Sequence, residues 1–256
     1  MTPPRTITAR DNPLLKELRK LGSDRVAYRK TGRIWLEGEH LCSAALVRGV
    51  QPQIAVFSDA GWERASAGMR KAAPDTVRVS DALFAGMSAL DSPADMGFVV
   101  DVPLAAQPLP GVSAVLLDRV QDAGNVGSIL RSASAFGVRQ VVALRGTAAL
   151  CSPKVLRAGM GAHFALHLVE GLEPDDLQAW NVPLVCTSSH QGVVLQQAQL
   201  PDPCAWVFGH EGQGVAPHWE ARAALTVRIA QPGGEESLNV AAAAAICLYA
   251  GSVGGR

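Results

Sequence analysis

The chain has 256 residues, with 23 Lys and Arg against 23 Asp and Glu, 48% apolar residues and 18% charged ones. That length allows one large or two modest domains, and the composition excludes a disordered chain. Only thirteen residues are aromatic, so Ala, Val and Leu must fill the core. The first ten residues carry no apolar run of the kind a secretory signal needs, and a cytoplasmic protein is expected. Asn12–Leu21 reads as a helix, with Asn12 as N-cap and Pro13 in the first turn. Arg33–Leu36 and Ile54–Phe57 read as strands, and Leu41–Arg48, Trp62–Ala72 and Asp81–Met87 as helices, which suggests a small α/β domain over residues 1–100. Asp101–Gly111, interrupted by three prolines, reads as a linker.

From residue 112 to 256 the alternation sharpens. Ala114–Leu117 is a strand, and Asn125–Phe136 a helix closed by Gly137. Gln140–Leu144 is a strand, Pro153–Gly159 a helix, Ala165–Val169 a strand and Leu172–Trp180 a helix. Leu184–Thr187, Ala205–Phe208 and Thr226–Ile229 complete the strands, and Leu238–Ala250 is a long Ala-rich helix, too short to span a membrane. Continuous apolar strands separated by helices indicate a parallel sheet covered on both faces. Ligands of such sheets bind beyond the carboxyl ends of the strands. Three loops there are chemically rich: Asp118–Gly127, Gly209–Gly214 and Ala230–Asn239.

The zero net charge hides an uneven distribution. Residues 1–50 hold ten basic and five acidic side chains, a net of +5. Arg29, Lys30 and Arg33 lie in this stretch. Arginine suits phosphate because its planar fork donates two parallel hydrogen bonds. A solvated helix face explains the same residues equally well.

The common catalytic templates are missing. There is no phosphate-binding G-x-x-x-x-G-K-[ST], no dinucleotide G-x-G-x-x-G opening a helix after the first strand, no H-E-x-x-H and no G-x-S-x-G. Ser188, Ser189 and His190 are neighbours in sequence, which does not make a triad. The five cysteines form no C-x-x-C pair, so neither a metal site nor a disulfide framework is indicated.

What remains is a pattern in three parts. N-x-G-x-x-x-R-x-A runs from Asn125 through Gly127 and Arg131 to Ala133. G-x-E-x-x-G holds Gly209, Glu211 and Gly214. S-L-N-V, Ser237 to Val240, opens the last helix. If Asn125 caps its helix, Asn125 and Gly127 sit at the positive end of the helix dipole and Arg131 can reach back toward it. By themselves, Arg131 fits an exposed helix residue, GHEGQG a solvent-facing loop, and Ser237 a helix N-cap with Glu235 and Glu236 just ahead of it.

Together, in this order and at these strand ends, the three motifs resemble the SpoU (TrmH) family of RNA 2′-O-ribose methyltransferases, in the SPOUT superfamily. The resemblance covers about 140 residues, from Ala114 onward. Residues 12–21 and Glu37–Gly38 resemble, more loosely, an accessory RNA-binding domain similar to ribosomal protein L30e. The resemblance implies a parallel-sheet methyltransferase domain with a C-terminal trefoil knot, a homodimer, S-adenosylmethionine as methyl donor and no metal. It implies catalytic roles for Asn125, Arg131, Glu211, Ser237 and Asn239, with backbone contacts from Gly209, Ile229 and Leu238 to the adenosyl group. Ribosomal RNA is the implied substrate. The alternatives are tRNA, or a non-catalytic RNA-binding or ribosome-assembly factor on the same scaffold. The chain departs from the family pattern where I-P-M is usual, reading Ile229-Ala230-Gln231, and at Ala241, where Ser is frequent.

Overall fold

The computed structural model describes residues 3–234 and 236–254. They form two compact units, residues 1–102 with 151–164, and residues 103–150 with 165–256.

The first unit contains β1 (Arg5–Ile7), α1 (Pro13–Ser23), α2 (Tyr28–Thr31), β2 (Arg33–Glu37), α3 (Glu39–Val47), β3 (Ile54–Ser58), α4 (Asp59–Arg64), α5 (Ala67–Arg70), β4 (Asp75–Val79), α6 (Asp81–Ala85) and β5 (Met96–Asp101). Its sheet has the order β1-β4-β3-β5-β2, and β5 runs antiparallel to both of its neighbours. Asn12 caps α1 as the sequence suggests, its side chain accepting the Leu14 N–H at 2.9 Å. Leu15, Leu18 and Leu21 recur at helical spacing and are buried against Trp35, Val56 and Val77. The single helix expected over Trp62–Ala72 is broken. Ala65 is extended, and Ser66 starts a new turn by accepting the Met69 N–H. A serine cap is worth about 1 kcal/mol, enough to redirect so short a segment.

The second unit is built on β6 (Ala114–Leu117), α7 (Ala123–Ala135), β7 (Gln140–Leu144), β8 (His167–Leu172), β9 (Leu184–Ser188), β10 (Val193–Val194), β11 (Ala205–Phe208), α9 (Pro217–Glu220), β12 (Leu225–Arg228) and α10 (Val240–Gly254). The intervening α8 (Pro153–Gly159) groups with the first unit. The strand order is β10-β12-β9-β11-β6-β7-β8, with every pairing parallel. β6 and β11 are buried throughout, as strands covered on both faces must be. The helix expected over Leu172–Trp180 is only a 3₁₀ turn, Pro174–Leu177, closed by a capping box between Glu173 and Asp176.

The proline-rich segment after β5 is held rather than loose. Leu104 bridges to Leu168, and the buried Gln140 carboxamide both accepts the Leu109 N–H and donates to the Leu109 carbonyl.

Candidate active site

β6, β11, β9 and β12 are neighbours in the sheet, so the loops leaving their carboxyl ends come together. The first turn carries an ion pair that the sequence reading passed over. Asp118, only 2% exposed, takes the Nε and Nη2 of Arg119 on its two carboxylate oxygens, at 3.0 and 3.2 Å. A third guanidinium nitrogen of Arg119 reaches Gln213 Oε1 at 3.0 Å, and Asp118 also accepts the Ala216 N–H at 2.9 Å. Arg119 has φ +62°, a left-handed conformation that costs a side-chain-bearing residue about 1–2 kcal/mol. Its N–H is held by Thr147 Oγ1, which in turn donates to the Leu117 carbonyl. The pair thus ties the end of β6 to both sides of the loop after β11. A charged Asp-Arg immediately behind a fully apolar strand was the available signal.

Within that loop Glu211 is fixed by three donors. Its Oε1 accepts the Asp122 N–H at 3.0 Å and Asn125 Nδ2 at 3.1 Å, and its Oε2 accepts the Gln121 N–H at 3.1 Å. Burial alone pushes this carboxyl upward, but the bonds from Asp122, Gln121 and Asn125 together outweigh it, and its pKa lies below the ordinary glutamate value. Asn125 Oδ1 accepts Asn239 Nδ2 at 3.0 Å. Three residues from three separate motifs therefore form one chain of hydrogen bonds, Glu211–Asn125–Asn239.

Two capping assignments are corrected. Asp122, not Asn125, caps α7, with Asp122 Oδ1 accepting the Asn125 N–H at 2.8 Å. Asn125 is thereby placed inside the first turn, and its side chain is free to join Glu211. At the last helix Asn239 acts as the cap in place of Ser237, its Oδ1 accepting the N–H groups of Ala241 and Ala242. Asp and Asn outrank competing neighbours here because their acceptors reach the second and third N–H of the helix. Glu235, expected beside the cap, lies outside the described residues.

A cavity of about 650 Å³ opens beside this network. Ser237, Asn239, Gly209, Glu211, Ile229 and Leu238 all line it, so six of the eight catalytic and cofactor residues share one space. Arg131 and Asn125 do not line it. Arg131 is exposed on α7, and its guanidinium makes no hydrogen bond or ion pair with any described residue; the anticipated reach back toward the helix start is not seen. A Cβ on Gly209 would lie 2.1 Å from the Gly214 carbonyl carbon, so the loop can close this tightly only with glycine there. Gln231 lines the same cavity, and its Oε1 is buried with no hydrogen-bond donor among the described residues. The cavity volume and its mixed wall, apolar at Phe208, Val227 and Ile229 and polar at Ser188, Glu211 and Gln231, suit a nucleoside carrying a charged tail. No group of three or more potential metal ligands occurs among the described residues.

The three basic residues proposed for RNA lie in the first unit and are not equivalent. Arg29 and Lys30 are exposed, with the Arg29 guanidinium 5.7 Å from the Tyr28 ring centre. Arg33 is engaged by Glu17 in a short ion pair.

Residues 113–249 match the SpoU rRNA Methylase family, and residues 12–96 match the MRM3-like substrate binding domain. A curated relative, 23S rRNA (guanosine(2553)-2′-O)-methyltransferase RlmP of Bacillus subtilis, is 32% identical over 248 residues, covering 95% of this chain and 97% of its own. A solved structure of an AdoMet-bound rRNA methyltransferase from Sinorhizobium meliloti superposes with a TM-score of 0.82 at 26% identity, covering 96% of each chain. Another, described as an RNA 2′-O ribose methyltransferase, gives 0.78 at 30% identity over 96% of this chain and 97% of that one. With a family match over more than half its length, and a relative aligned nearly end to end, the chain belongs to the SpoU rRNA methylase family.

Proposed function

We propose that this protein transfers a methyl group from S-adenosylmethionine to a ribose 2′-hydroxyl of ribosomal RNA. The observation that carries the reading is the Glu211–Asn125–Asn239 hydrogen-bond chain at the rim of a nucleoside-sized cavity. When bound, S-adenosylmethionine supplies a methyl group on a positively charged sulfur, a leaving group that is already activated. The residues present fit such a donor, since Ile229 and Leu238 offer apolar wall and the Gly209–Gly214 turn brings backbone close to the cavity.

The remaining task is to align a weak nucleophile. Glu211 accepts from Asn125, and Asn125 accepts from Asn239, so each carboxamide is locked and keeps one N–H uncommitted among the described residues. Those N–H groups are donors for a ribose or phosphate oxygen. Ser237, on the same wall, adds a hydroxyl. A guanidinium is a poor base, so Arg131 acts as a clamp on the target phosphate and stabilises negative charge developing on the 2′-oxygen.

We assign residues 1–100 to an L30e-like substrate-binding domain, 101–111 to a linker and 112–256 to the catalytic domain with its trefoil knot. The exposed apolar face of α10, Ile246, Tyr249 and Val253, supports a homodimer. Five free, buried thiols fit a reducing cytoplasm, where ribosomal RNA is modified. The test is methyl transfer from labelled donor to total RNA, followed by mapping of ribose methylation. Transfer to one site in ribosomal RNA is expected, and Arg131→Ala should abolish it while donor binding, followed by calorimetry, persists. Donor binding without transfer to any RNA would count decisively against the reading.

A further inference from the structure

Gln231 stands two residues beyond Ile229, where the chain leaves β12 for the loop that ends at α10. Its Oε1 is buried, and no donor among the described residues reaches it. Buried carbonyl-type oxygens are almost always paired, because an unpaired one forfeits its hydrogen bond to water and gains nothing in return. The oxygen belongs to a residue on the wall of the 650 Å³ cavity, which it shares with Phe208, Gly209, Ile229 and Leu238. The missing donor is therefore one that a ligand brings.

Three other polar groups of this wall already have partners. Glu211 holds three donors, Ser188 Oγ accepts the N–H groups of His190 and Gln191, and His210 Nδ1 accepts that of Gly212. A nucleoside with an amino-acid tail offers three kinds of donor. An ammonium is compact and strongly hydrated and is matched by a carboxylate, which this wall offers at Glu211, Glu220 and Glu236. A ribose hydroxyl both donates and accepts, so it can satisfy itself with many partners. A purine amino group only donates, is neutral, and sits on a flat apolar ring that matches Ile229 and Leu238. A neutral amide oxygen buried beside apolar side chains suits that group.

We propose that the Gln231 carboxamide is the residue that reads the 6-amino group of the donor's adenine. This rests on the cavity's being the S-adenosylmethionine site. The role is specific to this chain's departure from the family's I-P-M, since a thioether cannot take that hydrogen bond with comparable strength.

The test is calorimetric titration of the full chain with S-adenosylhomocysteine, the demethylated donor, and with S-inosylhomocysteine, whose base carries a carbonyl oxygen in place of the amine. The native protein should bind both, because a carboxamide that offers its oxygen to the adenine amine can turn its N–H toward the inosine carbonyl. Gln231→Leu should weaken binding of the adenine compound. Gln231→Glu, whose carboxylate can only accept, should prefer the adenine compound by about tenfold or more, because two acceptors would face each other in its inosine complex. In the ligand-free state Gln231→Leu should melt at or above the native temperature, because the orphaned oxygen is gone. Undiminished affinity of Gln231→Leu for the adenine compound, a ratio in Gln231→Glu no higher than the native one, or a lowered ligand-free melting temperature in Gln231→Leu would overturn the assignment and leave Gln231 a structural residue. Failure of the native protein to bind S-adenosylhomocysteine at all would overturn the methyltransferase reading itself.

Discussion

Glu211 illustrates how a loop acid becomes a fixed element of a site. Its three donors come from the start of α7, so the carboxylate is held where the helix dipole also favours negative charge. A carboxyl whose pKa is depressed on folding contributes stability that is complete above its unfolded value and is lost as pH falls through the folded one. For Glu211 that window lies below the ordinary glutamate value of about 4.3. Asn125→Ala removes one of the lowering bonds, so the Glu211 titration, followed by carboxyl ¹³C shifts, should move upward; a midpoint unchanged by the substitution would show that the Asn125 bond is not populated. At this scale much was legible. Asn125, Glu211 and Asn239 were singled out by the three motifs and the family they resemble, and they meet. The caps were misplaced by two or three residues because several good capping side chains stand close together, and only the backbone geometry decides between them. Asp118 and Arg119 were passed over because an adjacent ion pair has no spacing signature.

Among the elements, the inner strands of the second sheet were readable as unbroken apolar runs, since both faces of β6, β7 and β11 are buried. β1, at the edge of the first sheet, and its neighbour β4 were not. β1 reads Arg-Thr-Ile and β4 reads Asp-Thr-Val-Arg-Val, and partly exposed strands need only alternate. The last helix shows a different conflict. α10 is apolar nearly all round, yet only part of it can face the sheet. Ala244, Cys247 and Leu248 are buried, whereas Ile246, Tyr249 and Val253 are exposed by 40%, 56% and 54%. Spacings of three and four residues put the exposed three on one stripe. Tyr249 already packs edge-on against Phe136 of the same chain, which extends the patch onto the end of α7. If this stripe is the dimer face, Ile246→Glu combined with Val253→Glu should convert the protein to a folded monomer in sedimentation, because two buried charges per subunit have no partner there. A dimer that survives both substitutions would put the interface elsewhere.

For the whole molecule the informative quantity is the distribution of charge, not its total. The balance of 23 against 23 conceals a net of +5 in residues 1–50, and that excess belongs to the first unit, not the one that holds the cavity. The sequence shows the imbalance but not which cations are available, because pairing is a three-dimensional property. Arg5 is bound by Asp75 and Arg33 by Glu17, and Arg29 and Lys30 are exposed on α2. Cations that meet phosphate release counterions, and each contact to single-stranded RNA adds about 0.7 to the slope of log affinity against log salt. Replacing Arg29 and Lys30 with Ala should therefore lower the measured slope by up to about 1.4 and weaken binding most at low salt. Arg33→Ala should lower it by less than Lys30→Ala, since its charge is already partly neutralised by Glu17, and should instead cost a little stability through the lost pair. Melting curves and binding isotherms at several salt concentrations separate the two effects. A slope that falls equally for all three would mean that RNA displaces Glu17 from Arg33, and a slope unchanged by any of them would move the RNA contact off α2.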